Sequence, residues 1–139
     1  MKKIKVAVCI DDNGGVLLFG KRQSRDRTLI ADFVKTVGEG CVYVNQFSKA
    51  LFTSYPEVNV CESPQDEAPD GCAVFAENIP LSPIIDFVDE LIIYKWNRRY
   101  PSDVKIDVDP EKCGFSLCET LEFAGSSHEK ITKEIYRRT

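Results

Sequence analysis

The stretch 72-CAVFAENIPLSPIIDFVDELIIYKW-96 has the clearest succession of elements in the chain. A short apolar run over 72–75 predicts a buried strand. The segment 82–89 has helical spacing, and 90–96 is rich in β-branched and aromatic residues, which indicates a second strand. The loop 76–79 follows a strand end and precedes a helix start, where free backbone N–H groups can bind an anion. Two strands joined by a helix are typical of parallel pairing through a crossover.

The segments before this unit alternate between strands and helices. A helix is predicted over 24–37 because its apolar residues share one face, with Ser24 as the N-cap and Gly38 just beyond its end. Residues 62–71 are acidic and contain proline, which predicts a loop, with a short helix over 64–68 as the alternative. The strands predicted in this half of the chain cover 3–10, 41–44 and 57–61.

The segments after this unit are mostly strands. Alternating apolar residues predict strands over 104–108 and 115–123, whereas the tail over 129–137 fits either a strand or a helix. Alternation of strands and helices favours parallel pairing, and consecutive strands favour antiparallel pairing. We therefore predict one α/β domain over residues 1–139, with a mixed, mainly parallel sheet, an antiparallel C-terminal strand and flanking helices.

The composition argues against several classes of protein. The chain has 139 residues, of which 43% are hydrophobic and 29% are charged, and its net charge is −4. These values are typical of a globular protein without a general attraction to nucleic acids or anionic membranes. No apolar run approaches the roughly 20 residues that span a bilayer, and the apolar part of the N-terminus is shorter than that of a signal peptide. We expect a cytoplasmic protein that binds no membrane, and the oligomeric state stays open.

The six cysteines and the single histidine do not form a metal-binding pattern. No C-x-x-C pair occurs, and Cys113 and Cys118 have no histidine nearby to complete a zinc site. We therefore predict no metal. Nothing in the sequence indicates a secreted protein, so we expect reduced thiols rather than a disulfide framework.

The order of elements and several short segments resemble the dihydrofolate reductase family. The quoted stretch resembles the family's strand, glycine pair, helix and strand, and 28–47 resembles its substrate helix and the strand that follows. Ser102-Asp103 stands where the family has Gly-Asp-Thr, and 126–138 resembles its last strand. The resemblance covers nearly the whole chain, and it implies that the tail over 129–137 is a strand.

The resemblance also implies a binding site for NADPH, whose residues are altered in this chain. The family binds the pyrophosphate with a Gly-Gly pair, and a second contact comes from Gly-Arg, which is replaced here by Asn45-Gln46. A Cβ atom at each former glycine crowds the approach of the phosphates, and the charge of Glu77 repels them. Either NADPH or no cofactor is compatible with these changes. The residues that replace the glycine loop are Ala76, Glu77, Asn78 and Ile79.

The family places a catalytic carboxylate on its first helix, and Leu29 stands at that position here. Asp26 lies one turn earlier and Asp32 nearly one turn later, so either is a candidate catalytic acid if the register shifts. The alternative for both is a solvated helix charge, which is favourable for Asp26 in a first turn. His128 is either a proton carrier or a turn histidine.

A third candidate site is both basic and aromatic. Aromatic rings can stack on bases while lysine and arginine neutralise phosphates, and 94–101 interleaves the two types. A second basic cluster over 21–27 would complete a positive cleft if the two segments met. The alternative is an ordinary strand end and its turn. The residues proposed to contact nucleic acid or a partner are Lys95, Trp96, Arg98, Arg99 and Tyr100.

Three functions follow from these patterns. The first is a protein with a dihydrofolate reductase-like fold that has lost reductase chemistry and binds a nucleotide-like ligand or a macromolecular partner. The second is an NADPH-dependent reductase of a pteridine or pyrimidine-type substrate, with Arg22, Arg25 or Arg27 supplying charge to the cofactor. The third is a nucleic-acid-binding module.

Overall fold

The computed structural model describes residues 2–139, which form a seven-stranded sheet, a three-stranded sheet and a few helices. The helices are α1 (Arg27–Val37) and α2 (Pro64–Glu67), with 3₁₀ turns at Glu39–Cys41, Lys49–Phe52, Ser82–Phe87 and Glu111–Cys113. The strands are β1 (Ile4–Ile10), β2 (Gly15–Leu18), β3 (Lys21–Arg22), β4 (Val42–Val44), β5 (Asn59–Val60), β6 (Ala73–Phe75), β7 (Val88–Lys95), β8 (Val104–Lys105), β9 (Phe115–Phe123) and β10 (Ile131–Arg138).

The larger sheet is mixed, and its strand order is β5-β4-β6-β1-β7-β10-β9. The five strands from β5 to β7 pair in parallel, whereas β10 runs antiparallel to both β7 and β9. The predicted fold class is confirmed. The tail is a strand, as the family resemblance implies, because alternate residues of β10 are buried. Strands β3, β2 and β8 form the smaller sheet.

The central strands carry apolar side chains on both faces, as expected of parallel strands covered on both sides. Ala7 of β1 faces a cluster beneath α1, which includes Leu29 and Phe33. Its neighbours on the strand face the opposite cluster, which includes Leu81 and Ile84. The chain therefore has one hydrophobic layer on each side of the sheet. A helix covers one layer, and a 3₁₀ turn with adjacent loops covers the other.

Helix α1 begins later than predicted. Its N-cap is Asp26 rather than Ser24, because the Asp26 carboxylate accepts hydrogen bonds from the N–H groups of Thr28 at 2.9 Å and Leu29 at 3.2 Å. The helix ends as predicted at Gly38, whose φ of 100° lies in the region that favours glycine. Its N–H donates to the Val34 carbonyl and closes the last turn.

Three predicted elements are clearly shorter in the structure, and one of them is the strand predicted over 57–61, which covers only Asn59–Val60. The helix predicted over 82–89 is a six-residue 3₁₀ turn, because β7 begins at Val88 and leaves no room for further turns. Asp107 caps this turn by accepting from the N–H groups of Leu81 and Ser82. The strand predicted over 104–108 is only two residues long, and it pairs with β2 rather than with the larger sheet.

The expectation that all thiols are reduced is wrong for one pair. Cys41 and Cys72 form a disulfide, with their Cα atoms 4.8 Å apart. The sheet register brings the two cysteines together. Val42 of β4 pairs with Ala73 of β6, so the residues just before them, Cys41 and Cys72, are also neighbours. Residue spacing in the sequence could not reveal this proximity. Separately, no helix within residues 2–139 is long and apolar enough to cross a membrane.

Candidate functional site

The candidate site lies where the parallel strands end, which is the usual position of a ligand crevice in an open α/β sheet. The loops that follow β4 and β6 meet there. Asn45 Nδ2 donates to Asn78 Oδ1 at 2.8 Å, and Ser48 Oγ donates to Glu77 Oε1 at 2.7 Å. The two loops that the sequence marked for cofactor binding are thus adjacent. Their other members differ in exposure, since Ala76 is buried, Ile79 is half-buried and Gln46 is exposed.

Glu77 turns into this crevice and pairs with Arg22 of β3. The guanidinium binds both carboxylate oxygens, with Nε 2.8 Å from Oε2 and Nη2 3.0 Å from Oε1. Arg22 also donates to the Phe47 carbonyl at 2.8 Å and lies over the Phe47 ring. The Arg22 and Glu77 side chains are only 22% and 10% exposed. A bidentate pair of this kind is among the stronger charge-assisted interactions in proteins.

The crevice therefore already contains an anion that belongs to the chain itself. The Glu77 carboxylate takes the hydrogen bonds of Arg22 and the Ser48 hydroxyl. An incoming phosphate would find both donors occupied and a negative charge beside it. Burial of the Cys9 thiol raises its pKa well above the ordinary value, and the negative charges of Glu77 and Asp26 raise it further. Cys9 is therefore protonated and does not act as a thiolate nucleophile.

The position that the family resemblance assigns to the catalytic carboxylate is apolar. Leu29 is fully buried in the cluster beneath α1. The two neighbouring candidates, Asp26 and Asp32, are both engaged with other parts of the fold. Asp26 is buried at the start of α1, and Asp32 faces the sheet from the middle of the helix. Neither carboxylate projects freely into the crevice.

Asp32 belongs to a polar cluster between α1 and the sheet. Its Oδ2 atom lies 2.9 Å from Lys133 Nζ and accepts from the Tyr94 hydroxyl at 2.7 Å. Lys133 is buried, and it also donates to Thr36 Oγ1 at 2.7 Å. Burial first, and then the hydrogen bond to Asp32, raises the pKa of Tyr94 well above its ordinary value, so the phenol is a permanent donor. The cluster joins α1 to β7 and β10.

A separate cleft opens between α1 and residues 50–55, and we name it the Arg25–Arg27 cleft. Its volume is about 210 Å³. Arg25 and Arg27 are exposed, and neither forms an ion pair within residues 2–139. A positive rim beside an apolar wall suits a flat ligand that carries an anionic group. The lining residues are Arg25, Asp26, Arg27, Ile30, Ala50, Leu51, Thr53, Ser54 and Tyr55.

The basic and aromatic segment is divided between the interior and the surface. Trp96 is 4% exposed and stacks on His128, so its ring presents no free face to a base. Lys95 Nζ lies 3.1 Å from a Glu134 carboxylate oxygen. The Tyr100 hydroxyl contacts His128 at 2.8 Å. The two remaining members, Arg98 and Arg99, are exposed.

Sequence reasoning did not predict that Asp26, Trp96, Tyr100 and His128 meet. His128 Nδ1 lies 3.0 Å from Asp26 Oδ2, although 102 positions separate the two residues. The one sequence feature that pointed to this contact is Ser126-Ser127-His128, because a loop of two serines and a histidine supplies several hydrogen-bond donors to a nearby carboxylate. Within residues 2–139, no three His, Cys, Asp or Glu side chains converge to form a metal site.

Comparison with known proteins agrees with this architecture. No family model matches the sequence, and no curated protein matches it. Among solved structures, the chain is similar to a dihydrofolate reductase from Enterococcus faecalis in complex with NADP(H) and RAB-propyl, with a TM-score of 0.70. The similarity covers 99% of this chain and 96% of that chain, at 13% sequence identity. The chain therefore has the dihydrofolate reductase fold, as the sequence resemblance indicated.

Proposed function

We propose that this protein binds a small nucleotide-like anion in the Arg25–Arg27 cleft and has lost NADPH-dependent reduction. The observation that carries the loss of NADPH-dependent reduction is the ion pair between Arg22 and Glu77, which fills the crevice between the two loops. The family resemblance places the cofactor phosphates at this crevice. The protein uses the same position for an internal contact.

Two features support the loss of reductase chemistry. A phosphate that entered the crevice would have to break a bidentate ion pair, and Glu77 would then be left partly buried without its partner. Removing one member of a buried pair costs about 3–5 kcal/mol. In addition, Leu29 cannot donate or hold a proton, and it is fully buried where the resemblance requires a carboxylate.

The shape and charge of the Arg25–Arg27 cleft support the ligand class. Ile30, Leu51 and Tyr55 offer apolar surface to a flat ring system. Arg25 and Arg27 offer guanidinium groups that pair with phosphate or carboxylate. A nucleoside monophosphate combines both features, and its size is compatible with a cleft of about 210 Å³.

An NADPH titration, followed by nicotinamide fluorescence and thermal shift, tests the first part of the proposal. We expect no binding at millimolar cofactor. The double variant Glu77→Gly, Asn78→Gly is the informative partner, because it restores a glycine pair and frees Arg22. We expect this variant to gain measurable affinity for NADPH. A micromolar dissociation constant for the unaltered protein would contradict the proposal and favour a divergent reductase of a pteridine or pyrimidine-type substrate.

Calorimetric titration with nucleoside monophosphates tests the second part. The variant Arg25→Gln, Arg27→Gln should bind up to roughly 30-fold more weakly, since both arginines are exposed and each exposed charge pair contributes up to about 1 kcal/mol. The control is Arg98→Gln, Arg99→Gln, which removes the same charge from another surface. If the control variant lost affinity and the cleft variant did not, the ligand would bind near Arg98 and Arg99, and its assignment to the Arg25–Arg27 cleft would be wrong.

A second candidate function is nucleic-acid binding, which the exposed Arg98 and Arg99 favour. Arg99 and Lys105 line the same shallow depression beside Tyr100. Phosphate-driven binding weakens steeply as salt rises. A gel-shift titration at low and high salt would support this candidate if a complex formed at low salt only. Absence of a complex at low salt would reject it.

A further inference from the structure

His128 lies between a fixed carboxylate and two hydroxyl groups. Its Nδ1 atom is 3.0 Å from Asp26 Oδ2, and its Nε2 atom is 3.2 Å from Ser24 Oγ and 2.8 Å from the Tyr100 hydroxyl. The Trp96 ring stacks on the imidazole, with the ring centroids 4.5 Å apart. Both His128 and Asp26 are buried, so the imidazole is held in one orientation.

The carboxylate sets the tautomer of this histidine. Burial alone would raise the pKa of Asp26, but the hydrogen bonds from the Ser126 and Ser127 N–H groups, then from His128 and the Leu29 N–H, hold it well below its usual range. An ionised carboxylate only accepts hydrogen bonds, so Nδ1 of His128 carries the proton. In the neutral ring Nε2 is then an acceptor, and it faces Ser24.

Capping of α1 does not by itself require this arrangement. Asp26 already accepts hydrogen bonds from Thr28 and Leu29 of α1 and from Ser126 and Ser127 of the loop that precedes β10. Its hydrogen-bonding capacity is satisfied without the imidazole. His128 thus contacts the Asp26 carboxylate through Nδ1 and the partly exposed Ser24 hydroxyl through Nε2. This order of carboxylate, imidazole and hydroxyl is the one that activates a serine nucleophile.

The surroundings of Ser24 add the other requirements of such a site. Within residues 2–139, the backbone N–H groups of Ser24, Arg25 and Asp26 have no hydrogen-bond acceptor. Free N–H groups next to a nucleophile are the donors that stabilise a developing oxyanion. Arg25 follows Ser24 directly in the chain and is exposed, so its guanidinium can hold the acid group of a substrate.

We propose that Ser24 is the nucleophile of an acyl-transfer site, with His128 as the general base and Asp26 as the residue that positions it. The substrate class is a small ester that carries an anionic group. Ser24 Oγ forms a bond to the acyl carbon and its proton passes to His128 Nε2. That proton is then given to the departing alcohol as the ester C–O bond breaks. Water, activated in the same way, releases the acid and restores Ser24.

This site does not require a bound nucleotide, although it adjoins both sites described above. Ser24 lines a small cavity together with Glu77, and Arg25 belongs to the Arg25–Arg27 cleft. Covalent labelling of Ser24 nevertheless reports on the acyl-transfer site alone, whatever the outcome of the nucleotide titration. Tyr100 shares the acceptor with Ser24, and its hydroxyl lies 3.5 Å from Ser24 Oγ. We assign the nucleophile to Ser24 rather than Tyr100 because the free N–H groups are those of residues 24–26.

Labelling with a fluorophosphonate tests the proposal directly, since a serine oxygen activated by histidine displaces fluoride from phosphorus. We expect the label on Ser24, located by mass spectrometry of tryptic peptides. Ser24→Ala should abolish it, and His128→Gln should slow it by roughly 10²–10⁴-fold, the usual contribution of a general base. Ser54→Ala is the control, because Ser54 lines the same cleft without contacting His128. Labelling of another serine only, or none, would overturn the proposal.

A second measurement keeps His128 in place, so its result does not depend on whether the His128 variant folds. Ser24→Cys places a thiol 3.2 Å from the imidazole if the hydroxyl position is kept. Pairing with imidazole promotes the thiolate, so the introduced thiol should react with iodoacetamide faster than Cys118, an exposed cysteine in the same chain. Equal or slower alkylation at position 24 would show that His128 does not activate this position and would overturn the proposal.

Discussion

Asp26 has three roles in the fold through one carboxylate. It caps α1, it holds the 125–128 loop through the Ser126 and Ser127 N–H groups, and it orients His128. Gly125 makes this approach feasible, because a Cβ atom there would collide with the Asp26 carboxylate. The Asp26 carboxylate therefore joins the start of α1 to the loop that precedes β10.

Replacing Asp26 by Asn should lower the free energy of unfolding at neutral pH by about 1–3 kcal/mol, from a weaker cap and weaker hydrogen bonds to buried N–H groups. The pKa of Asp26 is lower in the folded than in the unfolded state, so its contribution is present above the unfolded value near 4 and is lost as pH falls through the folded value. The variant should thus lose less stability on acidification.

Urea unfolding at several pH values measures this effect. Asp12→Asn is the matched control, because Asp12 is exposed. If the Asp26 variant and the unaltered protein lost the same stability between neutral pH and pH 3, the hydrogen bonds to Asp26 would not be the source of the acid sensitivity.

At the scale of elements, α1 is fastened to the sheet by a polar cluster as well as by its apolar face. Lys133 of β10 binds Asp32 and Thr36 of α1, and Tyr94 of β7 donates to the same Asp32. The two charged partners differ in exposure, since the Lys133 side chain is 5% exposed and that of Asp32 is 31% exposed. Water can therefore reach the carboxylate but hardly the ammonium group.

This asymmetry predicts that Asp32→Ala destabilises the protein more than Lys133→Met does. Loss of Asp32 leaves a buried ammonium group with only the Thr36 hydroxyl, at a cost of about 3–5 kcal/mol. Loss of Lys133 leaves a carboxylate that water and Tyr94 still satisfy, so the cost should be about 1–2 kcal/mol. Urea unfolding of both variants gives the comparison, and the reverse order would contradict the assignment of the buried charge.

At the scale of the whole molecule, the disulfide between Cys41 and Cys72 joins the starts of two adjacent parallel strands that are separated by 31 positions in the sequence. Closing a loop of that length reduces the entropy of the unfolded chain and contributes about 3–4 kcal/mol in the chain-entropy model. The bond thus supports the half of the sheet that carries the loops of the candidate crevice.

Cys72→Ser, or reduction of the protein, should lower the melting temperature by roughly 10 °C. The control is Cys118→Ser, which removes an exposed free thiol and should leave the melting temperature within roughly 1–2 °C of the unaltered protein. A scan with and without reductant makes the measurement. An unchanged melting temperature under reducing conditions would show that the bond does not stabilise the folded state.

The sequence by itself determined the fold class. Apolar periodicity marked the strands β1, β7 and β9 and the helix α1, because burial on one or both faces imposes a repeat that can be read without tertiary structure. Departures from the family pattern at Leu29 and Glu77 were also visible, since a missing carboxylate and an added charge are properties of single positions.

Only the tertiary structure decided which distant residues meet. The pairing of Glu77 with Arg22 spans 55 positions, and the contact of His128 with Asp26 spans 102. Such contacts depend on sheet register and on loop conformation, which local preferences do not specify. For the same reason the sequence could not reveal that Trp96 is buried, that Cys41 bonds to Cys72, or that Asp26 rather than Ser24 begins α1.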